Sequence, residues 1–406
     1  MTQQTRSALI VTLAAAALLM VTNGVRVSFG LFISPLNTST GLGIATISFA
    51  LAIGQFTWGA VQPIAGALAD RHGPGKVLLG GVFLLAFGMA LTPFMGSGFG
   101  LIVSLGLLAS IGSGAGSFSI LIGAASKRLP AEARGKAAGI INAGSSAGQF
   151  VFAPISQALI QALGWMAALW TLAAMTLAAL PLIRTVAAPG AVAPAQPSAS
   201  DSPWRALGDA FGDRSYLLLN AGFFTCGFHI AFLVTHLPQE VNLCGLPSEV
   251  AGWSLAIIGL TNIAGSLAAG FSTARWRSKY ILALMYASRA VLIAMYLAAP
   301  KTALTFYLFA AGLGATWLAT VPPTAAIVGK LFGVRFLATL FGMTLLSHQI
   351  GGFLGAWLGG LAYEGSGSYL WMWYADMVLA AAAAIVNLPI REAPIAPAPT
   401  APAAAA

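Results

Sequence analysis

Charge is what this chain has least of. Only 7% of its 406 residues are charged, 58% are hydrophobic, and the mean hydropathy is +0.86. A soluble globular domain carries roughly 25% charged residues. With so few charges a chain cannot coat a water-facing surface, and this argues against the soluble class before any motif is read. Cysteine is scarce as well. Cys226 and Cys244 stand 18 positions apart on or beside one predicted helix. At 1.5 Å per residue that is about 27 Å along the axis, which argues against a disulfide and makes both packing residues. Spaced carboxylates, a Cys/His cluster, a phosphate-binding loop and a nucleophile elbow are also missing, so the sequence predicts no enzyme, no cofactor and no metal.

What is present is apolar length. A membrane-spanning helix needs about 20 residues. Twelve apolar segments are bounded by Gly, Pro and charge signals, at about 8–36, 44–69, 76–95, 100–127, 133–163, 165–184, 215–241, 248–272, 279–299, 303–328, 336–362 and 369–390. The first run continues past signal-peptide length and lacks a convincing cleavage site, so it is expected to stay as span one. The Pro-, Ala- and Ser-rich stretch 185–214 predicts a flexible linker, and the low-complexity tail 391–406 predicts disorder. The expected fold is all-α and integral to the membrane, with twelve transmembrane helices. Residues 1–184 form one six-helix bundle and residues 215–390 a second, related by a pseudo-twofold repeat.

The net charge of +9 could signal an acidic partner such as nucleic acid, but the positions of the basic residues argue otherwise. Arg71, Lys76, Lys127, Arg128, Arg134, Lys136, Arg184, Arg275, Lys279, Lys330 and Arg335 fall in or beside loops of one parity, whereas Lys301 alone falls on the other side. Cytoplasmic loops carry such an excess. The sequence therefore predicts a multi-pass protein of the plasma (cell inner) membrane with both termini cytoplasmic. It predicts the lipid bilayer as a partner, no nucleic acid, and a monomer. Trp253, Tyr363, Trp371 and Trp373 then lie near the outer interface, where aromatic belts sit.

The two halves echo each other. AGALADR begins at Ala65 and AGFSTAR at Ala269, an offset of 204 residues. GIINAGSSAGQF begins at Gly139 and GMTLLSHQIGGF at Gly342, an offset of 203. Similar offsets across an even number of spans imply two halves of the same orientation, with a site between them near mid-membrane.

The loop GALADRHGPGK, Gly66 to Lys76, resembles the signature between the second and third helices of the major facilitator superfamily. That resemblance covers nearly the whole chain. It implies alternating access between two bundles, with spans one, four, seven and ten lining the cavity. It also implies that Asp70 contacts the start of span eleven and a basic residue, for which Arg71 and Arg134 are the candidates here. The alternative for Asp70 is a solvated loop charge. In the echo Ala274 stands in place of the acid, so a matching latch in the second half is weakened. More narrowly, GVRVSFGLF, RGKAAGIINAGSSAGQF and SHQIGGFLGAWLGG look like bacterial relatives of monocarboxylate transporters and oxalate/formate antiporters, families that move small organic anions. Several members carry an arginine in span eight. GLTNIAGSLAAGF has none, with Ser266 in that region.

Only Arg26 and Arg289 are cations inside spans. A charge at that depth costs at least ~2.5 kcal/mol, so it is expected to face something polar. Arg26 offers a fork of donors that suits a carboxylate, and Asn23 shares its helical face. The alternative is snorkelling to the interface or a structural bond to carbonyls. His229 and His348 sit mid-span and suit proton coupling, or alternatively are satisfied packing groups. Gln349 stands beside His348. Asn142 and Gln149, seven apart on span five, either line the cavity or bridge helices. Arg289 is expected to be structural or gating, with Asp376 of span twelve as its partner. Pro322 and Pro323 are expected to break span ten. Embedded positive charge, with no acid inside spans one, four, seven and ten, favours an anionic substrate. The expectation is proton symport of a small organic anion, a monocarboxylate such as lactate. The alternatives are efflux of a drug or other metabolite, organic-anion exchange, or a membrane sensor without flux.

Overall fold

The computed structural model describes residues 3–188 and 202–393. The centre of the expected linker, 189–201, and most of the expected tail, 394–406, lie outside the described residues. Nine stretches of the described residues are apolar and long enough to cross a membrane. Three features bring the spans to twelve. The run Ala131–Ala187 holds two spans, because Gly164 turns the chain with φ 78. Positive φ is a conformation that glycine reaches without a steric penalty. The helix Ile44–His72 is span two. Span ten is divided into Ala303–Gly314 and Val321–Phe332.

Span one (Gln3–Val27) packs on span five, and span seven (Arg214–Leu243) packs on span eleven (Leu337–Ser366). Between the halves, span two packs on span eleven and span five on span eight (Ser248–Ser272). These crossings explain the repeated glycine. A Cβ on Gly66 would stand 2.4 Å from the carbonyl oxygen of Ala338, and one on Gly270 would stand 2.6 Å from the Cα of Gly139. The two positions are 204 residues apart and do the same job in each half. Hydrocarbon supplies no hydrophobic drive between helices, so close backbone approach through small residues takes its place.

The contacts between halves start at the face carrying the 66–76 loop and run to mid-depth. On the two–eleven side they pass from Asp70 and Thr339 through Gln62 and Gly342 to Gly59 and Gln349. On the five–eight side they pass from Gly135 and Thr273 to Ser146 and Asn262. Farther from that face, Phe49, Phe56, Phe150 and Phe353 on these same helices are exposed. The halves are thus sealed together on the loop face.

Span ten breaks just ahead of its two prolines. Residues 315–320 leave the α-helix, and Val321 bonds back to the Leu318 carbonyl with i→i+3 spacing. The α-helical donor for that carbonyl would be the N–H of residue 322, which proline lacks. Proline fits the first turn of the helix that follows.

Candidate functional site

Arg26 sits at the meeting of spans one and two. Its guanidinium donates to Gln55 Oε1 at 2.7 Å and to Asn23 Oδ1 at 3.1 Å, and lies over the Trp58 ring with 4.4 Å to the centroid. Asn23 in turn donates to Ser145 Oγ at 2.6 Å, fixing its amide oxygen toward the arginine. All these partners are neutral, and among the described residues no carboxylate pairs with Arg26. Its Nε is buried with no partner. The residue is half-buried, while Gln55 is exposed at mid-span. A fork of charged donors held by neutral groups, beside an accessible amide, is suited to a small anion.

The second half reaches this place through span eleven. Gln349 Nε2 donates to the backbone oxygen of Gln55 at 3.4 Å, and His348 Nδ1 stands 3.0 Å from Gln349 Oε1. His348 Nε2 is buried without a partner, and the imidazole lies 5.0 Å from the Phe223 ring. Arg26 and Asn23 are therefore linked through Gln55 to Gln349 of the other half, and His348 bonds Gln349 on the side toward span seven. Gln55 and Trp58 belong with them. A glutamine inside an apolar run was the available signal for the first, whereas nothing in the sequence separates Trp58 from packing aromatics.

Span five does not present Asn142 and Gln149 together. Asn142 is fully buried and donates to Ser266 Oγ at 2.7 Å and to the carbonyl of Leu318 at 2.8 Å, bridging span five to spans eight and ten. Gln149 is exposed. A seven-residue spacing keeps a helical face, but the break in span ten offers its carbonyl to only one of the two. Asn262 completes the bridge, accepting from the Leu318 N–H at 2.9 Å and donating to Ser146 Oγ at 2.5 Å.

The expected pairing of Arg289 with Asp376 is not made. Arg289 is 1% exposed and serves the break in span ten: it donates to the carbonyls of Thr316 and of Trp317, the latter at 2.7 Å, and to Cys226 Sγ at 3.3 Å. Carbonyls freed by the break outcompete the carboxylate because they lie within the guanidinium's reach and have no helical donor. Asp376 instead meets His229, with Oδ2 2.5 Å from Nδ1 and both residues fully buried. His229 thus does not line the site around Arg26. It packs inside the second half, 6.3 Å from the Trp317 ring.

Asp70 accepts from the Thr339 backbone N–H at 2.8 Å and from its hydroxyl at 2.7 Å, at the start of span eleven. A carboxylate at a helix N-terminus is favourable. Its basic partner is Lys127, at 2.6 Å, rather than Arg71 or Arg134. Arg134 Nε is taken by the carbonyls of Ser126 and Leu129 at 3.0 and 3.1 Å, and Arg71 is exposed. Burial raises the Asp70 carboxyl above the usual carboxylate range, and the Lys127 and Thr339 contacts draw it back down.

The family profile described as Major Facilitator Superfamily matches residues 11–320. Among curated proteins, the chain is 27% identical over 378 residues to monocarboxylate transporter 13 of Rattus norvegicus, covering 90% of this chain and 85% of that one. It is 23% identical over 376 residues to the uncharacterized MFS-type transporter YcxA of Bacillus subtilis, covering 90% and 91%. Among solved structures, the proton:xylose symporter XylE bound to 6-bromo-6-deoxy-D-glucose superposes with a TM-score of 0.73 at 14% identity, covering 95% of each chain. That likeness shows the fold alone.

Proposed function

The chain belongs to the major facilitator superfamily, and from that premise we propose that this multi-pass transporter carries a small organic anion, a monocarboxylate such as lactate, in symport with a proton. The observation that carries the reading is Arg26. Its partners Gln55, Asn23 and Trp58 hold the guanidinium in place without neutralising it. The carboxylate of the substrate supplies the missing charge. Gln349 and His348, contributed by the other half, let both bundles sense the bound anion. The similarity to a protein named monocarboxylate transporter points the same way.

The membrane is the plasma (inner) membrane, with both termini in the cytoplasm. The sealed face is then cytoplasmic, and Asp70, Lys127 and Thr339 form part of the seal. Alternating access breaks this seal and forms another on the opposite face. The test is uptake of radiolabelled L-lactate into proteoliposomes holding the purified protein. Saturable uptake that excess pyruvate inhibits supports the reading. Flux of neutral or cationic solutes without flux of lactate, pyruvate, formate or oxalate overturns it.

A further inference from the structure

His229 and Asp376 form a buried acid–base pair that the site around Arg26 does not use. The two come from spans seven and twelve, 147 positions apart in sequence, and meet at 2.5 Å. A lone carboxylate in such a place is expensive, and a partner that can carry a proton relieves it. We propose that this pair is the proton-binding site of the transporter, separate from the anion site, and that it acts on the seal between halves through the broken segment of span ten. The proposal rests on the symport reading for its purpose but not for its test.

The chemistry is a single protonation. With Nδ1 facing a carboxylate oxygen, the neutral imidazole carries its proton on Nδ1 and its lone pair on Nε2. That Nε2 is buried and without a partner, as is Asp376 Oδ1. One proton taken up at Nε2 turns the pair from a net charge of minus one to zero. No bond breaks and no other reactant is needed.

The surroundings make that change consequential. Span nine contributes Arg289, a fixed positive charge that reaches Cys226, one turn before His229. Span nine also places the phenol of Tyr286 close by, with 5.3 Å from its ring centroid to the Arg289 guanidinium. On span eleven the titratable neighbour of the span-seven face is His348. Toward the far end of span seven, His236 bonds Tyr369 at 3.2 Å, and Glu240 accepts from Tyr296 at 2.8 Å and from Trp373 at 3.2 Å, so these groups are engaged separately. With the pair unprotonated, Asp376 carries a buried negative charge on one side of Trp317, while Arg289 on the other side faces the titratable Cys226 thiol at 3.3 Å. Protonation of the pair removes that negative charge and changes the field at Trp317 by one unit.

The cluster touches the break directly. The Trp317 ring lies 6.3 Å from the imidazole, and the Trp317 carbonyl accepts from Arg289 at 2.7 Å. The next residue, Leu318, is the one that Asn142 of the opposite half holds by its carbonyl at 2.8 Å. Proton binding and the contact between halves are therefore adjacent residues of one non-helical segment. One contiguous non-helical segment thus connects the two contacts.

The test is a pH titration of Trp317 emission, taken as wild type minus Trp317→Phe, on purified full-length protein without added substrate. A protonated imidazole beside the indole quenches it. The expected result is one single-proton step that vanishes in His229→Gln and in Asp376→Asn, survives with a shifted midpoint in Asp376→Glu, and survives in Arg26→Ala and His348→Gln. A step that persists in both His229→Gln and Asp376→Asn, or no step in wild type, overturns the proposal. If the Gln and Asn variants fail to fold, wild type and Asp376→Glu decide it: identical midpoints in the two overturn it. Failure of the anion reading leaves this titration unchanged, so the two are distinguishable. Where L-lactate is transported, accumulation driven by an acid-outside gradient falls at least 10-fold in His229→Gln and Asp376→Asn, and normal accumulation in both contradicts the proposal.

Discussion

Asn142 of span five donates to the backbone carbonyl of Leu318 in span ten, 2.8 Å away, and so one half of the molecule caps a helix break in the other. Asn262 of span eight takes the N–H of the same residue at 2.9 Å. The bond from Asn142 exists only while the halves are together on the loop face. Truncation leaves the Leu318 carbonyl with only its bond from the Val321 N–H, a loss of one hydrogen bond worth about 0.5–1.5 kcal/mol. Asn142→Ala therefore shifts the population away from the sealed state. Spin labels at the exposed positions Lys76 and Arg277, in a cysteine-free background, should show a larger share of long distances in this variant. An unchanged distribution would show that the bridge does not hold the halves.

Arg289 and Arg26 should respond oppositely to truncation. Arg289→Ala removes the guanidinium donors from the carbonyls of Thr316 and Trp317 and leaves the latter only a weak thiol contact from Cys226 at 3.7 Å. At ~1–3 kcal/mol for each carbonyl, the apparent melting temperature should fall by roughly 5 °C or more. Arg289→Lys should recover only part, because an ammonium lacks the fork. Thermal unfolding followed by tryptophan emission makes the comparison.

Arg26→Ala should fold with near-normal stability, since removing an unneutralised charge at membrane depth also removes a desolvation cost. Anion uptake should be lost. Arg26→Lys should restore only a fraction, for the same reason of geometry. Wild-type lactate uptake by a well-expressed Arg26→Ala variant would mean that the arginine is structural.

Coupling has an electrical signature. An inside-negative potential drives an anion outward at about 2.3 kcal/mol per charge per 100 mV. One proton per monocarboxylate removes that penalty. Uptake should rise as the external pH falls and change little when the potential is clamped with potassium and valinomycin. In His229→Gln, net accumulation should fall far more than lactate-for-lactate exchange, which needs no net proton movement. Accumulation that survives collapse of the pH gradient would point to exchange or facilitated diffusion.

The spans were legible because hydrocarbon demands apolar length, and the loop motif was legible because several residue types stand there in register. Arg26 stood out because a cation in an apolar run is rare. Pairings were a different matter. Arg289 and Asp376 looked complementary as two opposite charges at similar depth, yet sequence carries no measure of what a broken helix next door will ask for. The prolines at 322 and 323 announced the break, but its carbonyls drew Arg289 and Asn142 to it, leaving Asp376 to His229. Lys127 was missed as the partner of Asp70 for a similar reason: Arg71 is adjacent in sequence but exposed, whereas Lys127 lies in the last turn of the helix that packs there. Local pattern reports which residues are unusual, and tertiary packing decides whom they meet.

The central claim is that an anion completes Arg26. A thermal-shift screen of the purified protein against small carboxylates, sugars, amino acids and cationic drugs addresses it most directly, because a ligand that binds only the folded state raises its apparent stability. Small monocarboxylates should stabilise the wild type in a concentration-dependent way and should not stabilise Arg26→Ala. Stabilisation by neutral or cationic compounds alone, or equal stabilisation of Arg26→Ala by carboxylates, would contradict the account.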